Sequence, residues 1–370
     1  MIHVRKRLAD EIYARMTGKF IEGQTELDML SKRGLVNIFR GMAKEAIREN
    51  KFPRLTKEQK ARIRDYYSGC PRFSTIYHRV YAGRTGKLDL NFMPDDLYYG
   101  YIEPFYNNSE AARYIDNKAT YDRLFNGIKM PEKICSRESG LWYDGAGQPV
   151  SKRDVISLLR DAGGELVLKN AENSEAGAGV TILSEEDPVM DFRRAIRFIH
   201  GDALVQRAVI QHPDYAALHP ESVNSIRVMT LLREDGVHVI TSCMRVGVGE
   251  TRTDNLGTGG FFLGIRDDGT TGRLGASKKG HVLTEHPTMH YVLEGKPLPH
   301  LDKAYELASR AHLMVPRFRL VCWDIAIDEA GEAVLLETNL SLGEIVNVQV
   351  CNGPLFGEDT RAICEEVFGL

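Results

Sequence analysis

Asp324, Glu337 and Asn339 are the residues of this chain whose types and spacing speak most directly of chemistry. They stand in Leu320-Val-Cys-Trp-Asp-Ile-Ala-Ile-Asp-Glu-Ala-Gly-Glu-Ala-Val-Leu-Leu-Glu-Thr-Asn339, where two apolar runs flank Ala330-Gly331. That pattern reads as a β-hairpin turning at Ala330-Gly331. A turn centred between those two residues sets Asp324 directly opposite Glu337. Side chains alternate along a strand, so Asn339 shares the face of Glu337. The other face would carry Val321, Trp323, Ile325, Ile327, Val334 and Leu336 as a buried wall. Two carboxylates and an amide oxygen on one face are hard ligands suited to Mg²⁺, with phosphate oxygens completing the shell. The bland alternative is a half-exposed hairpin with ordinary polar residues on its wet face.

Two further groups of residues suit an anionic partner. Lys169 ends the apolar run Leu166-Val-Leu-Lys, and Asn173-Ser-Glu-Ala-Gly-Ala-Gly-Val180 follows it. Gly177 and Gly179 carry no Cβ, so backbone N–H groups there can approach a phosphate closely. Alone, such a turn is equally a structural hairpin tip; the preceding Lys and the downstream acidic hairpin favour phosphate. Arg227 and Arg245 each interrupt an apolar strand pattern, and a buried guanidinium needs an anion beside it. That anion is either a transferring phosphate or a local carboxylate. His281, His286 and His290 lack zinc-site spacing, and no Ser-His-Asp or Cys-His arrangement stands out.

These residues need rigid supports. Strands are expected at Glu165–Lys169 and Val180–Leu183, forming a hairpin, and at Ala203–Ile210, Asn224–Leu232, Val237–Val246, Phe261–Ile265, Leu320–Ile327 and Ala333–Asn339. Helices are expected at Val36–Ile47, Lys57–Tyr67, Ser151–Leu159, Met190–Ile199, Leu301–Met314 and Asp359–Val367. A further helix capped by Ser109 should run to about Phe125 and close at Gly127 and Pro131, ahead of a Gly-rich loop over 140–147. Strand-rich segments with flanking helices favour an α+β fold. The domains read as a helical, basic region over 1–105, a small lobe with a Gly-rich lid over 106–205, and a lobe with the metal site over 206–370.

Composition narrows the class. Hydrophobic content of 43%, charged content of 27% and a net charge of −3 are those of an ordinary globular protein. That charge gives no argument for nucleic acid. No apolar run reaches membrane-spanning length, and no apolar core of a secretory signal follows Met1. Six scattered cysteines without a C-x-x-C pair suit free thiols in the cytoplasm. The basic excess before residue 87 suits a solvated helical face, or docking to an anionic polymer or membrane surface.

The D-x(12)-E-x-N signature of Asp324, Glu337 and Asn339 resembles the Mg²⁺ site of the ATP-grasp superfamily. Pro220-Glu-Ser-Val-Asn-Ser-Ile-Arg-Val-Met-Thr230 and His286-Pro287 ahead of Pro299 resemble its sugar-transfer-associated branch. The resemblance spans roughly Asp95 to Asn347. It implies an ATP-grasp fold, two α+β lobes gripping ATP, with two metal ions held by the triad and bridging the ATP phosphates. It implies further that Lys169 reaches the α-phosphate, that loop 173–179 covers the phosphates, and that Lys118 is a second nucleotide-binding lysine. Leu204–Ile210, with Gln206, Arg207 and Val209, resembles the hinge strand that meets adenine. Asn255, with Gly259 and Gly260, resembles the loop near the transferred phosphate. Asn170 and Gln206 depart from the Pro and Glu common among relatives.

The activity so implied is a carboxylate–amine or carboxylate–hydroxyl ligase working through an acyl phosphate. Its substrate would be a small molecule or a glycan precursor, as in polysaccharide biosynthesis. A phosphotransferase acting on a hydroxyl uses the same machinery and stays open, as does homo-oligomer formation. A non-catalytic nucleotide-binding partner fits less well, because Asp324, Glu337, Asn339, Lys169 and Arg227 are all present.

Overall fold

A computed structural model describes residues 32–108, 111–112, 115, 117–171, 180–197, 199 and 201–370. Two antiparallel sheets organise it. The first runs β3-β2-β1-β6-β4-β5, from β1 (Lys133–Glu138), β2 (Leu141–Asp144), β3 (Pro149–Val150), β4 (Leu166–Asn170), β5 (Thr181–Leu183) and β6 (Ala203–Arg207). Helices α4 (Lys152–Asp161) and α5 (Val189–Arg197) accompany it, and its core gathers Trp142, Val155, Leu159, Leu168, Phe192 and Val205. Ser151 caps α4: its hydroxyl accepts from the Asp154 N–H, and the Asp154 carboxylate returns to the Ser151 N–H.

The second sheet runs β11-β10-β9-β8-β7-β12-β13. Its strands are β7 (Ile226–Arg233), β8 (Gly236–Val246), β9 (Phe261–Ile265), β10 (Thr271–Ala276), β11 (Val282–Leu283), β12 (Leu320–Ile327) and β13 (Ala333–Asn339). One face packs on α6 (Leu301–His312) through Ile226, Val228, Val321, Trp323 and Leu335. The other face meets α1 (Lys32–Asn50), α2 (Lys57–Tyr66), α3 (Ile76–Thr85), α7 (Val346–Asn352) and α8 (Thr360–Phe368) through Met229, Leu231, Cys243, Phe262 and Cys322. Tyr98–Ile102 is π-helical and joins the helical turns Asp95–Leu97 and Glu103–Tyr106 beneath this face. All six cysteines are free thiols. No helix among the described residues is long and apolar enough to cross a membrane.

The structure corrects three expectations. The helix meant to reach Phe125 breaks at Asn117, whose extended backbone and side chain cap a new 3₁₀ turn, Lys118–Thr120; Ser109 lies outside the described residues. The expected loop over 140–147 instead contains β2 and a turn stitched by Asp144, whose carboxylate accepts from the Ala146 and Gln148 N–H groups. The third correction lies in the acidic hairpin. Asp324 does face Glu337, but Ile325 pairs with Leu335, so Leu336 bulges out. Beyond the bulge, Ala333 and Leu335 join the buried wall in place of Val334 and Leu336.

Candidate functional site

The β12–β13 hairpin closes through Asp328, whose Oδ1 accepts from the Ala330 and Glu332 N–H groups at 3.1 and 2.9 Å. Gly331 supplies the left-handed residue this turn requires, at φ +75°. Register then places Cys322 beside Asn339 and Asp324 beside both Glu337 and Arg227. Arg227 pairs with Cys243 on β8, two residues before Arg245. Asp324, Glu337, Asn339, Arg227 and Arg245 therefore share the sheet face turned toward the N-terminal helices.

Asp324 is buried and forms the hub. Arg227 donates to it twice, Nε to Oδ1 and Nη2 to Oδ2, both at 2.7 Å, and Arg245 Nη1 donates to Oδ2 at 2.5 Å. Burial alone would raise its pKa; the two guanidinium groups outweigh that and hold it at about 2. Arg245 also reaches the Asn255 Oδ1 and lies 3.3 Å from Asp254. Asp254 in turn accepts from the Ser225 backbone and hydroxyl. Both arginines thus find a local carboxylate, and Asn255 joins the same network.

On the neighbouring strand, Lys118 Nζ lies 3.0 Å from Glu337 Oε1. The Lys118 N–H donates to the Ala171 carbonyl at 2.9 Å, just past the end of β4, which carries Lys169. Burial chiefly, and then the charge of Lys118, lower the Lys169 pKa to about 8, while Glu337 opposes the shift. Lys118 and Lys169 thus both lie within the influence of the Glu337 carboxylate.

The donor set fits a Mg²⁺ ion. Glu337 is part-exposed, and one end of the Asn339 amide is buried without a partner. Turning that amide by half a revolution presents its oxygen to the same place. Asp324 Oδ1 accepts one hydrogen bond and keeps a lone pair for a second contact. No cluster of three His, Cys, Asp or Glu side chains exists among the described residues, so the triad depends on the amide.

Elsewhere, Gly177 and Gly179 lie outside the described residues. Gln206 is buried on β6, its amide donating to the Pro131 carbonyl at 3.3 Å. The Arg207 side chain turns away to Glu132 and the carbonyls of Ala162 and Gly163. Val209 follows the end of β6. His286 Nε2 donates to the Gly247 carbonyl at 3.0 Å and its ring stacks on His219, a packing role.

Leu340-Ser341-Leu342-Gly343 after the strand reads from sequence as a functional loop, but sequence reasoning did not single out Glu344 beyond it. Leu342 is held at φ +54°, a strained conformation for a residue with a Cβ. Glu103 accepts from the Gly343 N–H at 2.9 Å, and the Tyr99 hydroxyl donates to the Gly343 carbonyl at 3.0 Å. Glu344 follows, buried, its carboxylate accepting from the Asn347 N–H at 2.9 Å. Its only sequence signal was its place just past the metal strand.

A model of the family described as sugar-transfer associated ATP-grasp matches residues 100–365. No curated protein matches the chain. Among solved structures, similarity extends to D-alanyl-alanine synthetase A from Vibrio cholerae, at 15% identity and TM-score 0.42 over 71% of this chain and 67% of that one. It extends also to biotin carboxylase from Campylobacter jejuni in a β-γ-ATP complex, at 13% identity and TM-score 0.42 over 72% and 49%. The chain therefore spans about half the length of the second.

Proposed function

Because the chain belongs to the sugar-transfer associated ATP-grasp family, we propose that it is an ATP- and Mg²⁺-dependent ligase that activates a carboxylate as its acyl phosphate. An amine or hydroxyl of a glycan precursor or other small molecule then displaces the phosphate. The observation that carries this reading is the meeting of Lys118 and Lys169 with Glu337, beside Asp324, Arg227 and Arg245 on one sheet face.

Lys118 and Lys169 would draw the phosphates of ATP to the gap between the two sheets. Glu337, the Asn339 amide and the remaining lone pair of Asp324 would hold Mg²⁺, which when bound neutralises phosphate charge. Arg227 and Arg245 keep Asp324 ionised and stand where charge gathers on a transferring phosphoryl group. In the first step the substrate carboxylate oxygen bonds to the γ-phosphorus and the bond to ADP breaks. In the second, the nucleophile bonds to the acyl carbon, the bond to phosphate breaks, and the nucleophile releases a proton.

The test is ADP release with Mg·ATP against a panel of amino acids, amines and sugar acids, with mass spectrometry of the products. ADP formed only when acid and nucleophile are both present, with a product mass equal to their sum less water, supports the ligase. ADP formed with a single hydroxyl acceptor that gains one phosphate replaces it with a phosphotransferase.

A further inference from the structure

Arg245 is held at both ends. Its backbone N–H donates to the Ser225 carbonyl at 2.7 Å, one rung from the Ile226–Met244 pair. At the far end its guanidinium gives Nη1 to Asp324 and Nη2 to Asn255, and Nη2 stands 3.3 Å from Asp254 Oδ1. Asp254 closes the circuit, because its Oδ2 accepts from the Ser225 N–H at 3.0 Å and from the Ser225 hydroxyl. Ser225, Arg245 and Asp254 are all buried.

The loop that carries Asp254 and Asn255 has little freedom of its own. Past the 3₁₀ turn Leu256–Thr258 the chain doubles back, and the Thr258 and Gly260 N–H groups donate to the Asn255 carbonyl at 3.1 and 2.9 Å. A Cβ at Gly260 would collide with the Asp254 carbonyl, so glycine is what admits this close return. The carboxylate that faces Arg245 is therefore fixed by its own backbone and by Ser225. Asp254 has a second effect. With Asp324 it balances the charges of Arg227 and Arg245, so the buried cluster carries no unpaired cation.

We propose that Asp254 and Ser225 are positioning residues, which fix the Arg245 guanidinium in the orientation that meets the phosphoryl group leaving ATP. This role rests on the phosphoryl-transfer reading above and adds to it the device that holds Arg245 in place. Donors fixed beforehand stabilise developing charge without having to turn during the reaction. Charge balance alone acts in the opposite sense: removing a carboxylate beside anionic phosphates would tighten every nucleotide alike.

Calorimetric titration of the full chain with Mg·ADP, and with Mg²⁺ and a non-hydrolysable ATP analogue, separates these roles. The native chain should prefer the analogue by roughly tenfold, the worth of one charge-assisted hydrogen bond to the added phosphoryl group. Asp254→Asn keeps an oxygen for Ser225 but withdraws the charge from Arg245. Ser225→Ala removes the hydroxyl that anchors Asp254. Each should lose most of the preference for the analogue while Mg·ADP affinity holds. Variants that keep the native preference, or that lose or gain affinity for both nucleotides in equal measure, would overturn the positioning role. So would a native chain that does not distinguish the two nucleotides. A native chain that binds neither would sink the phosphoryl-transfer reading itself, and this role with it.

Discussion

Asp324 and Glu337 face each other across one hairpin, yet their surroundings predict different consequences of losing them. Asp324 is buried beneath two guanidinium groups, so Asp324→Ala strands Arg227 and leaves Arg245 with Asp254. Breaking a buried pair in this way costs roughly 3–5 kcal/mol; chemical denaturation should show a loss of that order. Glu337→Gln keeps the shape of a part-exposed side chain but removes the charge beside the buried Lys118, so it should lower the denaturation midpoint less than Asp324→Ala while abolishing ATP turnover. Lys169→Ala should weaken nucleotide binding by roughly tenfold, about 1.4 kcal/mol; unchanged affinity in a binding titration would make Lys169 structural. The three ligand candidates were legible because their types and spacing sit on an alternating apolar frame. The Lys118–Glu337 contact was not, since no local pattern records which distant turn will meet a strand.

At the scale of elements, the loop after β13 is tethered to the helical region by Glu103 and Tyr99. Burial raises Glu103 and Glu344 to about 7, from an ordinary carboxyl value of 4.5. A carboxyl raised by burial costs the folded state nothing where both states are protonated, and costs it more as the unfolded chain ionises and the folded chain does not. Folded stability is therefore full below about pH 4.5 and is lost as pH rises through about 7. The Tm should fall between pH 5 and pH 8, and Glu103→Gln should flatten that slope; a slope equally steep in the variant would contradict the assignment. The hairpin itself was legible from its two apolar runs and its Ala-Gly turn. The bulge at Leu336 escaped because Val334, Leu335 and Leu336 are all apolar, and such a run gives no sign of which member steps aside.

Over the whole molecule, the seven-stranded sheet presents one apolar face to α6 and one partly charged face to the helices of the N-terminal region. The α+β class and most of the later strands could be read from periodicity, though β10 and β11 could not. The role of the N-terminal helices could not, because an amphipathic helix declares that one face is buried and not what covers it. In the fold they pack on the sheet face that carries the site, and Glu103 and Tyr99 hold the loop after Asn339. The claim that Lys118, Lys169, Glu337, Asn339 and Asp324 form one Mg·ATP site is tested most directly by calorimetric titration of a non-hydrolysable ATP analogue, with and without Mg²⁺, into the native chain and Glu337→Gln. The native chain should bind more tightly with Mg²⁺, and Glu337→Gln should lose that increment while retaining metal-free binding. An equal Mg²⁺ dependence in both proteins would contradict the site.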